Sequence, residues 1–192
     1  MSLIDDGKGR GYRAAVCAEN KLQVHAVIQT VERHTNAEHG DAYHCVFSQS
    51  PTAADDCLFY MVNSSDDNDI IIEGVWLGFI NADGDDPEVY FKVGDKGTRD
   101  NATALTPANC NAGSGKAADG TFEKGVDLDA GTLTGGTEIE RYVFANTQNH
   151  TTSHFNFEQD IIIPKNETFT MWATDAQATY YVTIVFNFHT VL

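Results

Sequence analysis

Apolar and polar residues alternate along much of this chain with a period of two. Near the start, Leu22, Val24, Ala26 and Ile28 alternate with Gln23, His25, Val27 and Gln29, the spacing of a half-buried strand. A polar stretch, Glu32 to Asp41, separates that strand from the next apolar run, Tyr43 to Phe47. At the other end Tyr180, Val182, Ile184, Phe186 and Phe188 alternate with Tyr181, Thr183, Val185, Asn187 and His189. One face of this last strand is wholly apolar and the other mixed, which predicts a central strand of a sandwich. Runs rich in Val, Ile, Thr, Tyr and Phe predict strands over 22–31, 42–49, 57–63, 69–80, 88–94, 139–145, 154–163, 167–174 and 179–191. Turn-forming residues separate them at 63–68 and 81–86, and Pro164 ends the strand before it. No segment sustains a 3.6-residue period, and nothing repeats at a fixed interval. The predicted class is all-β, a jelly-roll-like antiparallel β-sandwich.

Two segments break the alternation. Residues 5–13, Asp-Asp-Gly-Lys-Gly-Arg-Gly-Tyr-Arg, carry three glycines and three cations without apolar periodicity. Such a stretch buries too little surface to fix its own backbone, so residues 1–16 are expected to form an extended N-terminal arm, either a floppy terminus or one that orders on a partner. Residues 95–125 are rich in Gly, Ala, Asn and Thr and poor in large apolar side chains. They are expected to form a long surface loop, either a contact to a neighbouring subunit or a tolerated insertion. The remainder, 17–192, reads as a single sandwich domain.

Charge and cysteine usage narrow the function classes. A formal net charge of −16 on 192 residues opposes binding to a phosphate backbone, so no nucleic-acid partner is expected. The cations Lys8, Arg10 and Arg13 gather in the arm, and an acidic body with a basic arm fits docking of that arm on an acidic surface. Cys17, Cys45, Cys57 and Cys110 show no metal-type spacing. With no apolar leader and no run of about 20 apolar residues, folding in a reducing cytoplasm and no membrane partner are expected. Cys45 and Cys57 are then expected to pack as small hydrophobes.

Candidate chemistry is sparse. Asp83, Asp85 and Asp86 resemble the opening of a calcium loop but lack its spacing and closing glutamate, and Asp66, Asp67 and Asp69 form a similar acidic tip. His150 with His154, and His34, His39 and His44, have no spacing that marks a metal site in a β-context. Gly7, Gly9 and Gly11 have no strand before them and no helix after them, and no G-x-S-x-G elbow occurs. Trp76 and Trp172 sit in apolar strands and are expected in the core rather than as exposed sugar platforms. The expectation is a protein that is not an enzyme, with no metal and no cofactor.

Short motifs along the chain resemble a known family. Gly7-Lys8-Gly9-Arg10-Gly11-Tyr12, Ala15-Val16, Asn20-Lys21-Leu22-Gln23-Val24 and Gly40-Asp41-Ala42-Tyr43 resemble the start of a family of tailed-bacteriophage virion proteins. Phe59 to Ser64, followed by Asp69 to Ile72, is similar to that family's hairpin, and Gly131 to Thr137 also fits. The resemblance implies a jelly-roll-like structural protein, a capsid decoration (cement) protein on the virion surface, assembled in the host bacterial cytoplasm. It further implies the major capsid protein as partner and a homotrimer as the oligomer. Lys8, Arg10, Tyr12 and Arg13 are the expected capsid-binding residues. The four cysteines and the 95–125 loop depart from the family. The alternative is a tail- or head-fibre-associated jelly-roll module that recognises host glycans. That reading expects an exposed aromatic beside the acidic turns at 63–68 or 81–86, for which Tyr90 is the nearest aromatic.

Overall fold

A computed structural model describes residues 4–5, 13–16, 22–23, 39–81, 86–145 and 152–190. The chain divides into two units, Met1–Val31 and Glu32–Leu192. In the first, β1 (Ile4–Asp5), β2 (Arg13–Val16) and β3 (Leu22–Gln23) form an antiparallel three-stranded sheet. Ile4 lies opposite Ala14, and Val16 opposite Leu22. Leu22–Gln23 opens the strand predicted over 22–31; its continuation lies outside the described residues.

The second unit is two antiparallel sheets packed face to face. It contains β4 (Ala42–Gln49), β5 (Asp56–Asn63), β6 (Asn68–Asn81), β7 (Glu88–Val93), β8 (Thr103–Ala104), β9 (Ala108–Asn109), β10 (Gly120–Lys124), β11 (Thr137–Val143), β12 (Thr152–Ile163), β13 (Thr168–Ala173) and β14 (Ala178–Thr190). One sheet has six strands in the order β11-β7-β13-β5-β10-β8, the other five in the order β12-β6-β14-β4-β9. The period-two pattern explains the packing. On β14 the residues predicted to point inward, Tyr180, Val182, Ile184, Phe186 and Phe188, are all buried, and β14 is the middle strand of its sheet. Aromatic pairs join the two sheets: Phe47 stacks on Phe59 at 5.3 Å, Phe122 on Phe186 at 5.1 Å, and Tyr142 meets Phe155 at 3.9 Å between ring centroids. Burial of side chains this large supplies most of the fold's stabilisation, roughly 1.5–3 kcal/mol for a fully buried Phe.

A bulge in β6 re-aims part of the sheet. Phe186 pairs with Ile72 but Val185 pairs with Gly74, so Glu73 is the extra residue. Ile70 and Ile72 point inward before the bulge; Val75, Leu77 and Phe79 do so after it. One inserted residue reverses the parity of everything beyond it. Trp76, expected in the core, therefore faces outward with 37% of its surface exposed. Glu73 accepts a hydrogen bond from the fully buried Asn187 Nδ2, which holds the bulge against β14.

The segment 95–125 is more than a surface loop. It contributes β10 to the edge of β5, β8 beyond that, and β9 to the edge of β4. Its Phe122 is buried in the main core. Gly, Ala, Asn and Thr mask these strands because the pieces are only two to five residues long and take their hydrogen bonds from existing strands.

Residues 128–134 cross the outer face of the six-stranded sheet. Leu128 and Leu133 join Cys57, Tyr60, Tyr90 and Trp172 in a second, smaller core. Backbone bonds between Lys96 and Thr134, both 2.9 Å, and from Thr132 N to Thr98 O at 3.0 Å tie this strap down. The fully buried Asp95 is its anchor: its carboxylate accepts hydrogen bonds from Thr170 Oγ1 at 2.6 Å, Trp172 Nε1 at 3.2 Å and Gly136 N at 2.8 Å.

Candidate functional site

The outer face of the five-stranded sheet carries an exposed aromatic groove. Strand register sets two rows of side chains across it. Val46, Thr183, Trp76 and His154 form one row, and Ser48, Tyr181, Gly78 and Thr152 the next. Tyr181 is 49% and Val46 66% exposed. His154, opposite Trp76 on β12, stacks on the indole with centroids 4.1 Å apart and planes within 15°. One face of the indole is thereby covered by the imidazole, and Thr183 is its register partner on the other neighbouring strand. Gly78 places no side chain between Tyr181 and Thr152, so the floor drops beside the indole. The groove encloses about 570 Å³.

The chemistry of that groove is distinctive for so acidic a chain. Its described lining includes the hydroxyls of Ser48, Thr152, Tyr181 and Thr183, and its one charged residue is Lys124. The Lys124 ammonium reaches across from β10 to the Ser48 carbonyl at 3.3 Å. Flat aromatic faces, hydroxyl donors and a cation can bind a polar ring.

A second groove, about 510 Å³, opens at the side of the sandwich where β11 and β12 are the edge strands. Here β12 bulges between Asn156 and Ile161, and Glu158 adopts φ +51°, so Phe157–Asp160 leave the ladder. Val93, Ile139, Ile161 and Ile162 line the groove together with Glu140, Glu158 and Asp160. Ile139, Val143 and Ile162 are exposed along this side.

The residues singled out from sequence are distributed as follows. Lys8, Arg10 and Tyr12 lie outside the described residues. Arg13 opens β2 with its backbone opposite Asp5. His34, His150, Asp83 and Asp85 also lie outside them. Asp66 of the acidic tip pairs with Lys165, which holds its carboxyl below the usual range. That tip is set by the buried Asn63, whose Nδ2 donates to Asn68 O at 2.8 Å and Ile163 O at 2.9 Å. Tyr90 is not a surface aromatic: it is buried, stacks on Trp172 at 5.9 Å, and donates its hydroxyl to Asp55 at 3.2 Å. Trp172 is in the core as expected, and Trp76 is not.

Cys45 and Cys57 are buried as expected. Burial pushes the Cys45 thiol up to about 12 and the Cys57 thiol well above its ordinary range, so neither presents a thiolate near neutral pH. Asp56, Asp127 and Asp129 bring one carboxylate oxygen each within 4.8 Å of one another. Asp56 is already occupied as an acceptor for Thr52 N and Ala53 N, both at 2.7 Å, and Asp129 for Cys57 N at 2.6 Å.

Among the described residues no helix is long and apolar enough to cross a membrane. Sequence reasoning missed Tyr181 as a site residue, although the β14 alternation already places it on the outward face. It missed Asp95 and Lys124 because both lie within the segment 95–125 read as a loop. Compared with known proteins, the chain matches no family model, no curated protein and no solved structure.

Proposed function

We propose that the chain is a non-enzymatic structural protein of a phage virion, a jelly-roll-type sandwich that decorates and stabilises the capsid exterior. The observation that carries this reading is the exposure of three apolar residues, Ile139 and Val143 on β11 and Ile162 on β12, the two edge strands at one side of the sandwich. Edge strands present unpaired backbone groups, and an apolar edge is a template for a neighbouring chain. A net charge of −16 keeps the rest of the surface dissolved. In this reading the basic arm, with Lys8, Arg10, Tyr12 and Arg13, docks on the major capsid protein. The edge groove joins copies into a trimer, whose several arms bind together.

The test is co-sedimentation with undecorated phage heads, using the full chain, a chain lacking residues 1–13, and Val143→Asp/Ile162→Asp. Saturable binding by the full chain that collapses in both altered forms is the expected result. Failure of the full chain to bind any head overturns the reading. A second reading, a tail- or head-fibre-associated module that recognises host glycans, is favoured by one observation: Trp76 and Tyr181 stand exposed in the groove on the outer face of the five-stranded sheet.

A further inference from the structure

The outer-face groove has a charge character opposite to that of the protein around it. The chain carries 28 acidic and 12 basic residues, yet the described residues lining this groove include Lys124 and no carboxylate. A neutral ligand has no need of that exception. An anionic one would be repelled elsewhere on the surface and tolerated here, where a single ammonium supplies a charge-assisted hydrogen bond.

The shape and the other groups specify the rest. The exposed face of the Trp76 indole carries the negative side of the ring quadrupole, which attracts the polarised C–H face of a pyranose. His154 stacked behind it at 4.1 Å removes the rotamer freedom that binding would otherwise have to freeze. Thr183 lies beside Trp76 in one row, and Tyr181 and Thr152 flank Gly78 in the next, so three hydroxyl-bearing residues line the groove around the glycine. A volume of about 570 Å³ open along the sheet suits two or three sugar rings rather than a closed small-molecule site.

We propose that this groove binds an acidic oligosaccharide, a carboxylated pyranose stacking on Trp76 with its carboxylate at Lys124. The proposal rests on the glycan-recognition reading and names its ligand class and site; it is independent of capsid attachment. Two sources carry this chemistry, hexuronates and sialic acids, and the experiment contains both.

The experiment is titration of the full chain with a galacturonate hexamer, a sialic acid tetramer and the fully methyl-esterified form of each, followed by tryptophan fluorescence. The chain has two tryptophans and Trp172 is buried, so a ligand-induced change reports Trp76. The expected result is saturable binding of at least one acidic oligomer and at least five-fold weaker binding of its uncharged counterpart. Lys124→Ala should abolish most of that preference. Trp76→Ala should lose ten-fold or more in affinity by calorimetry, and Tyr181→Ala, which leaves the Trp76–His154 stack intact, should weaken binding as a check on folding. Equal binding of the acidic oligomers and their esters overturns the acidic assignment but leaves the glycan reading. Undiminished binding by Trp76→Ala overturns the site. Binding of none of the oligomers overturns both the proposal and the glycan reading.

Discussion

Replacing Asp95 by alanine should loosen the strap that covers the outer face of the six-stranded sheet. In the native protein its carboxylate accepts three hydrogen bonds, from Thr170 Oγ1, Trp172 Nε1 and Gly136 N, at 2.6, 3.2 and 2.8 Å. Hydrogen bonds to a charged acceptor contribute about 1.5–3 kcal/mol each, and orphaning a buried donor costs a comparable amount. The losses do not simply add. Trp172 Nε1 keeps a second acceptor in Thr170 Oγ1 at 2.9 Å, and removing Asp95 also removes a desolvated charge. The expected destabilisation is therefore about 3 kcal/mol, a large share of a typical 5–15 kcal/mol. In urea, with a slope of about 2 kcal/mol per molar, the unfolding midpoint should fall by about 1.5 M. Asp95→Asn should fall between, because its oxygen can serve Gly136 N while its amide faces two donors. Equilibrium unfolding followed by tryptophan fluorescence and circular dichroism measures both. A shift in Asp95→Ala within about 0.5 kcal/mol, the range of an ordinary surface change, would refute the anchoring role.

Three further outcomes follow from the packing. Gly97 sits at φ +121°, where an added Cβ would lie 2.3 Å from Thr132 O, so Gly97→Ala should destabilise by about 2 kcal/mol or more on thermal unfolding. Asp129 has its carboxyl pushed above the ordinary 3.8 by burial, with Asp127 and Asp56 adding repulsion. A raised folded-state value means the contribution is full below about pH 3.8 and is lost as pH rises through the folded value; Asp129→Asn, which keeps an oxygen for Cys57 N, should therefore raise the melting temperature at pH 7 and lose that advantage below pH 4, and an equal effect at both pH values would contradict this. Native alkylation at pH 8, read by mass spectrometry, should modify the exposed Cys110 and spare the buried Cys45 and Cys57 until denaturant is added.

Much of the sandwich follows from the order of side chains alone. Burying one face of a strand requires a period of two, so the alternation in β14 determined both its inward residues and its place at the middle of a sheet. The spans of β4 to β7 and β11 to β14 follow from the same patterning and from turn residues such as Asn63 and Pro164. The burial of Cys45 and Cys57 follows from their neighbours in apolar runs. Other features depend on what lies across the sheet. Trp76 faces solvent because Glu73 is accommodated as a bulge against β14, and a bulge is a mismatch between two paired strands, invisible in either one. Asp95 reads as a loop carboxylate; its role comes from Thr170, Trp172 and Gly136, between 41 and 77 positions away. Lys124 reaches the aromatic groove because the packing of the two sheets brings the end of β10 beside Ser48 of β4. Local sequence determined which face each strand would bury, whereas pairing register and the packing of the two sheets decided which side chains meet at the surface.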